Sequence, residues 1–187
     1  MLEIVYFFDS FESDGIIKFR HRGAFGSQIN YTQDDLVDVS DGGDAGRLFE
    51  ITRGQETELP LATKFSFFDG TQDYRQGTVE SRRLTVHSDR TSAVQAPIVM
   101  RQAMAQAIAD IMLQETWVAR EKARITIPPS DLFLEPSDIL TLTAHGHNYK
   151  FRIIGMADHG ARELELMQID PTIYEHARAA DRISRTP

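Results

Sequence analysis

One long helical pattern inside a sequence of short strands constrains the fold of this chain most. From Pro97 to Glu121 there is no glycine and no second proline, and good helix formers dominate. Met100, Met104 and Ile111 follow one another at spacings of four and seven residues, which places them on one face of a helix. We therefore predict a helix over residues 97–121, about 37 Å long at the α-helical rise per residue.

The length of this helix and its one tryptophan predict a contact beyond the local fold. The helix is long for a domain built from 187 residues, so part of it is expected to pack against something large. Trp117 lies near its end and is interpreted as a packing or interface residue rather than a sugar platform. We expect the helix to separate two sets of strands or to contact a neighbouring subunit, with the contact formed by Met100, Met104, Ile111 and Trp117.

Short segments rich in β-branched and aromatic residues lie on both sides of the helix. Turn residues such as Asp14-Gly15 and Asp69-Gly70 bound them. Short strands joined by tight turns are typical of antiparallel barrels, so the predicted fold class is mainly β (α+β), barrel-like, with one long helix. The predicted strands cover residues 4–8, 16–20, 48–52, 59–68, 77–87, 123–127, 139–143, 149–156 and 163–169.

These segments also predict the domain organisation. Residues 1–170 are expected to form one β-rich unit, or two small barrels with the helix between their strand sets. Residues 171–187 are expected to form a short helix that frays into an Arg-rich tail, and the polar stretch 33–46 is expected to be an exposed loop. The abrupt first strand is what a domain cut from a longer polypeptide would show.

Composition argues against several functions. The net charge of -8 argues against a surface that holds a nucleic-acid backbone, so no specific nucleic-acid binding is predicted. The chain has no cysteine, which excludes disulfides, thiolate metal sites and a cysteine nucleophile. No apolar run approaches the roughly 18 residues of a membrane span. The N-terminus also lacks the basic region and apolar stretch of a signal peptide.

Two polar clusters invite a metal interpretation, and both patterns are weak. His145 and His147 lie two apart in a predicted turn, and Asp158 and His159 follow on the next predicted hairpin. A divalent metal could bind there, but exposed turn residues are the more common explanation of such a pattern. The acidic residues between positions 34 and 44 fail the EF-hand pattern, because Gly42 stands where a ligand is required. No metal or cofactor site is predicted.

No catalytic motif is present, so the chain is not expected to be an enzyme. There is no G-x-S-x-G elbow, P-loop, G-x-G-x-x-G or H-E-x-x-H. A cell-wall hydrolase is therefore the least supported alternative. An adhesin that binds surface polysaccharide is the other alternative, although the period-2 spacing of Phe65 and Phe67 favours a core. The features that favour an adhesin are the loop at 33–46 and the aromatic residues Phe65, Phe67, Phe68 and Tyr74.

Several motifs follow one another in a characteristic order. Residues 68–74 (F-D-G-T-Q-D-Y) end one strand, residues 125–129 (I-T-I-P-P) follow the helix, and residues 134–138 (L-E-P-S-D) form a turn before the strand at 149–153. Together with the strand motif at 14–19, this order resembles the hub proteins of phage-type tail tips and baseplates. It is most similar to the phage tail protein domain of the gene transfer agent tail-tip protein, over about residues 3–170.

The resemblance implies a mechanical function. It implies β-barrel hub domains arranged as a ring of copies of the chain, with a trimer expected, together with other tail tube and tip proteins. The ring would connect the tail tube to the tip and position receptor-binding parts in a virion-like particle assembled in the bacterial cytoplasm. One position departs from the family pattern. Hub domains often carry Pro-Gly-Asp where this chain has Pro136-Ser137-Asp138, and serine tolerates a positive φ less readily than glycine.

Overall fold

A computed structural model describes residues 1–24, 29–37, 49–84, 88–158 and 161–175. Within these ranges the chain is mainly β, with eleven strands and two α-helices. The helices are α1 (Leu2–Tyr6) and α2 (Gln102–Val118). The mainly β class with one long helix is therefore confirmed.

The N-terminal strands form a separate two-stranded hairpin. β1 (Phe8–Ser13) and β2 (Ile16–His21) are antiparallel, with Ser10 opposite Phe19. Asp14 and Gly15 both have positive φ, as a two-residue type I′ turn requires. This confirms the predicted strand at 16–20 and its Asp-Gly turn.

A three-stranded sheet packs against α2. Its order is β6-β5-β7, where β5 is Ala62–Asp69, β6 is Arg75–Arg82 and β7 is Thr91–Met100. β6 is antiparallel to β5, whereas β7 is parallel to it. Phe65 and Phe67 of β5 are buried with Ile108 and Ile111 of α2 in a first apolar core.

A six-stranded sheet contains a second apolar core. Its order is β3-β9-β10-β11-β8-β4, antiparallel except that β3 is parallel to β9. Leu142, Phe151 and Leu164 are among the side chains buried in this second core. The strands are β3 (Ile29–Thr32), β4 (Phe49–Arg53), β8 (Glu121–Ile127), β9 (Ile139–Ala144), β10 (His147–Asp158) and β11 (Arg162–Gln168).

The sheets are open in the described part of the chain. The six-stranded sheet begins at β3 and ends at β4, and these two strands are not paired with each other there. The barrel-like part of the predicted class is therefore not confirmed. The two cores are compatible with two units, and the division at residue 170 stays a prediction. Pro171–Tyr174 forms a 3₁₀ turn whose Ile173 and Tyr174 are buried, and residues 176–187 lie outside the described residues.

Several predicted elements have different boundaries. The strand predicted at 59–68 begins at Ala62, and the strand predicted at 77–87 ends at Arg82, with residues 85–87 outside the described residues. The predicted strand at 4–8 is mostly helix, because α1 extends to Tyr6. Phe7, which follows it, has a φ of 52° and is buried in the first core with Val5. The predicted helix at 97–121 is shorter, because residues 97–100 belong to β7. Pro97 is tolerated there since β7 is an edge strand. The polar stretch 33–46 begins with a 3₁₀ turn (Gln33–Asp35), and residues 38–46 lie outside the described residues.

Candidate assembly surface

The hairpin of β1 and β2 has two faces with different surroundings. Alternation places Asp9, Ser13, Lys18 and Arg20 on one side, which we call the inner face. Neither strand contains a fully buried residue. A lone two-stranded hairpin is marginally stable in water, so contacts with the rest of the chain must hold this one in place.

Ion pairs hold the inner face to the turn at residues 135–138. Lys18 donates to the Glu135 carboxylate, and Arg20 donates to both Glu135 and Asp138. The hydroxyl of Ser13 donates to Glu135 at 2.5 Å. The hydrogen bond from Lys18, and then that from Ser13, keep the pKa of Glu135 below its usual value. This turn is therefore a polar docking site for the hairpin, and we call it the docking turn.

A buried arginine holds the base of the hairpin. Arg152 of β10 has a side chain only 6% exposed and donates to the Asp9 carboxylate. Burial lowers the pKa of Arg152, so Asp9 is the nearby anion that offsets an unfavourable location for a cation. Arg22 joins the same group, since it donates to Asp9 at 2.9 Å and to Glu115 of α2 at 2.8 Å. The phenol of Tyr174 donates to Glu115 at 2.9 Å.

Ser137 connects the docking turn to the same group. Its φ is 68°, so the position that favours glycine is occupied by serine in a left-handed conformation. Its hydroxyl donates to Asp9 at 2.9 Å. The side chain that strains the backbone thus makes a hydrogen bond to the hairpin that glycine could not make.

The opposite side of the hairpin, which we call the outer face, is apolar and uncovered. Ile17 is 67% exposed and Phe19 is 69% exposed, and Phe19 contacts the ring of Phe8 edge-on with centroids 5.8 Å apart. Ser10, directly opposite Phe19, donates its hydroxyl to Glu3, so α1 lies beside this face.

Exposed apolar side chains are concentrated in this part of the molecule. Of the thirteen large hydrophobic residues that are exposed in the described ranges, seven lie in the first nineteen residues. At about 100 Å² each, these seven side chains together expose about 700 Å². The seven residues are Met1, Leu2, Ile4, Tyr6, Ile16, Ile17 and Phe19.

The sequence shows that this strand has one apolar face, but it does not show whether that face is buried or exposed. The segment Ile16-Ile17-Lys18-Phe19-Arg20 alternates as a strand with one apolar face. Such a face normally lies on the chain's own core. Here the charged face lies on the body, and the apolar face is uncovered.

The predicted interface residues lie elsewhere. Met100 and Trp117 are buried, Ile111 is 1% exposed, and Met104 is partly buried against the first core. The indole of Trp117 donates to the Pro60 carbonyl at 2.9 Å. These side chains therefore pack within their own chain, and a direct contact of Met100, Ile111 or Trp117 with a neighbour would require them to leave the core.

The histidines considered as metal ligands contact aromatic rings. His145 lies against Phe49, with ring centroids 5.5 Å apart, and His147 lies against Tyr149. Asp158 accepts two hydrogen bonds from Arg162, and His159 lies outside the described residues. No group of three or more potential ligands is close enough to hold a metal ion among the residues that the structure covers.

The aromatic residues considered for polysaccharide binding are mostly internal. Phe65 and Phe67 stack in the first core with centroids 6.2 Å apart, and Phe68 is partly buried. Tyr74 is exposed at the turn between β5 and β6. One exposed ring does not make a sugar platform, so the structure gives the adhesin alternative no specific support.

The described chain combines open sheets with a hairpin whose apolar side chains are exposed. A family model described as "Putative phage tail protein" matches residues 1–156. The chain belongs to this phage tail protein family. No curated protein sequence matches the chain with significance. In the described residues, no helix is long and apolar enough to cross a membrane.

Solved structures share the fold. A chain in the virion of a native gene transfer agent particle superposes with a TM-score of 0.81 at 23% identity, covering 92% of this chain and 38% of that one. A tail protein from Neisseria meningitidis gives a TM-score of 0.53 at 12% identity, covering 92% of this chain and 54% of that one. A prophage MuSo2 tail protein from Shewanella oneidensis gives 0.50 at 11% identity, covering 85% and 49%. This chain thus spans 38% to 54% of the length of these structures.

Proposed function

We propose that this chain is a structural component of a phage-like tail tip or baseplate hub. Copies of it form a ring that connects the tail tube to the tip and positions receptor-binding parts. The tail protein family and the fold shared with a gene transfer agent virion protein support a place in the tail. The observation that carries the assembly role is the outer face of the hairpin, whose Ile17 and Phe19 nothing in the described chain covers.

The proposal extends to composition and location. The ring is a homo-oligomer, with three copies expected, and it contacts tail tube and tip proteins in a virion-like particle assembled in the bacterial cytoplasm. Of the residues first predicted to contact a neighbour, Met104 remains a candidate because it is only partly buried. The chain acts mechanically, and no catalytic step is assigned to it.

Incorporation into tails tests this function. The double variant Ile17→Ser/Phe19→Ser changes the outer face, and Leu132→Ser/Phe133→Ser is a matched control with two comparably exposed residues in a turn outside the hairpin. We expect both to fold, and the outer-face variant to enter purified tails at least roughly tenfold less than wild type, since interface centres contribute most binding energy. Absence of the wild-type chain from purified tails, or equal incorporation of both variants, contradicts the proposal.

A further inference from the structure

A basic surface with an apolar centre lies at one end of the three-stranded sheet. Leu84 is 92% exposed, the most exposed large hydrophobic residue in the described chain. The backbone of Leu61 accepts from the Arg83 amide at 3.0 Å and donates to the Arg90 carbonyl at 2.7 Å, so the segments that contain Arg83 and Arg90 flank residue 61 on its two sides, at the same end of the sheet. We call Arg82, Arg83, Leu84 and Arg90 the basic patch.

The arginines of the basic patch have no carboxylate partner among the residues that the structure describes. Arg83 lies over the Trp117 ring at 4.4 Å, and Arg90 donates to the backbone carbonyl of Glu58 at 3.5 Å. Residues 82–90 contain three arginines and one carboxylate, Asp89, a net charge of +2 in a chain of net charge -8. Charge of this sign on an acidic protein favours an acidic partner.

The outer side of the N-terminal segment has the opposite character. Glu12 and Asp14 are exposed and form no ion pair with a described residue, and Glu3 accepts only the Ser10 hydroxyl there. The cations of the hairpin, in contrast, point to the body and are paired with Glu135, Asp138, Asp9 and Glu115. What the hairpin presents outward is therefore Ile17 and Phe19 with acidic side chains around them.

We propose that the outer face of one copy docks on the basic patch of the next copy. Ile17 and Phe19 would meet Leu84, while Glu12 and Asp14 would meet the arginines, which gives an apolar centre with a charged rim. This inference rests on the proposed function, since it names the contact through which ring copies associate. Two outer faces cannot dock on each other as well, because their acidic groups would repel.

The geometry of such a contact fits a ring. The two surfaces are different parts of one chain, so the contact is heterologous, and heterologous contacts close into rings or extend as filaments. Each copy therefore carries both halves of the proposed interface, the outer face and the basic patch, at two separate places on its surface.

Site-specific crosslinking tests the pairing, because the chain has no cysteine of its own. Glu12→Cys and Arg82→Cys are made in separate full-length chains, and Lys150→Cys, an exposed position outside both surfaces, is the control. Mixed under mild oxidation at millimolar concentration, the first two are expected to form the mixed disulfide dimer in preference to either like pair. Neither is expected to crosslink to Lys150→Cys above background.

Reversing the charges of both surfaces gives a second test, and variants that failed to fold would not recover association when mixed. Glu12→Lys/Asp14→Lys and Arg82→Glu/Arg90→Glu are each expected to raise the self-association constant Kd about tenfold in sedimentation equilibrium. A mixture of the two variants is expected to associate again, because the reversed charges are complementary. Arg83 is left unchanged because it also covers Trp117.

The outcomes separate this inference from the proposed function. A chain that enters tails, yet gives no Glu12→Cys to Arg82→Cys disulfide and no recovery in the variant mixture, overturns the inference alone. A chain that never enters tails overturns the proposed function, whatever its self-association. Preferred crosslinking together with recovery in the mixture supports the inference.

Discussion

The hairpin and helix α2 use the same kinds of apolar residue in opposite ways. Ile108 and Ile111 of α2 are buried against β5, and their burial stabilises the fold. Ile17 and Phe19 of the hairpin are exposed, and the hairpin is held by polar contacts of its other face. An apolar stripe thus identifies a core in one region and an uncovered surface in the other, and the difference lies in where the charged face is paired.

The largest predicted effect is on the free energy of unfolding, when an isoleucine is replaced by alanine in helix α2 and in the hairpin. Ile111→Ala is expected to lower the free energy of unfolding by about 3 kcal/mol, because it leaves a cavity in the first core. Ile17→Ala is expected to change it by less than about 0.5 kcal/mol, because the side chain is already in water. Denaturant unfolding of the two variants measures this. Similar losses for both would show that the outer face is covered by its own chain.

The second prediction concerns the ion pairs of Asp9 with Arg152 and Arg22 at the base of the hairpin. Asp9→Asn is expected to cost about 2 kcal/mol, because the buried Arg152 loses the carboxylate that offsets its charge. The control Glu12→Gln removes a carboxylate from the exposed face of the same strand and is expected to have little effect on unfolding. If the two variants unfold at the same denaturant concentration, Arg152 does not depend on Asp9.

A third prediction separates backbone strain from hydrogen bonding at the docking turn. Ser137→Ala keeps the left-handed strain and loses the bond to Asp9, so it is expected to lower the free energy of unfolding by about 1 kcal/mol. Ser137→Gly loses the same bond but relieves a strain of about 1 kcal/mol, so it is expected to stay near wild type. A glycine variant less stable than the alanine variant would contradict this account.

The smallest predicted effect is the pH dependence of the contact between the hairpin and the docking turn. The pKa of Glu135 is lowered in the folded protein, chiefly by Lys18, so the contact stabilises the fold above the unfolded-state pKa of a glutamate. This stabilisation is lost as the pH falls through the lower, folded-state pKa. The difference in unfolding free energy between wild type and Glu135→Gln should therefore be present at neutral pH and disappear in acid. A constant difference would exclude the charged contact.

Local patterns predicted part of this architecture and missed the rest for physical reasons. The Asp14-Gly15 hairpin and the strands after the helix could be predicted, because turn chemistry and alternation are local. The pairing of β7 with β5 is a long-range contact, so residues 97–100 fit the helical pattern although they belong to β7. Val5 and Phe7 show the same limit, because their burial in the first core overrides the β preference of their segment.

The surface was harder to predict than the fold. Met100, Ile111 and Trp117 are predicted to contact a neighbour from their places in a long helical pattern, but Met100 lies in β7, and all three side chains are buried in their own chain. Ile17 and Phe19 had the pattern of a core strand. Only the ion pairs of Lys18 and Arg20, which join residues more than a hundred positions apart, determine which face of the hairpin is outward.

An electron cryomicroscopy map of the intact tail that contains this chain, at a resolution that shows side chains, tests the proposed ring most directly. The chain is expected to lie in the axial ring, with Phe19 buried against a neighbouring copy and Leu84 of that copy beside it. A map that places the chain outside the ring, or leaves Phe19 in solvent, would contradict it.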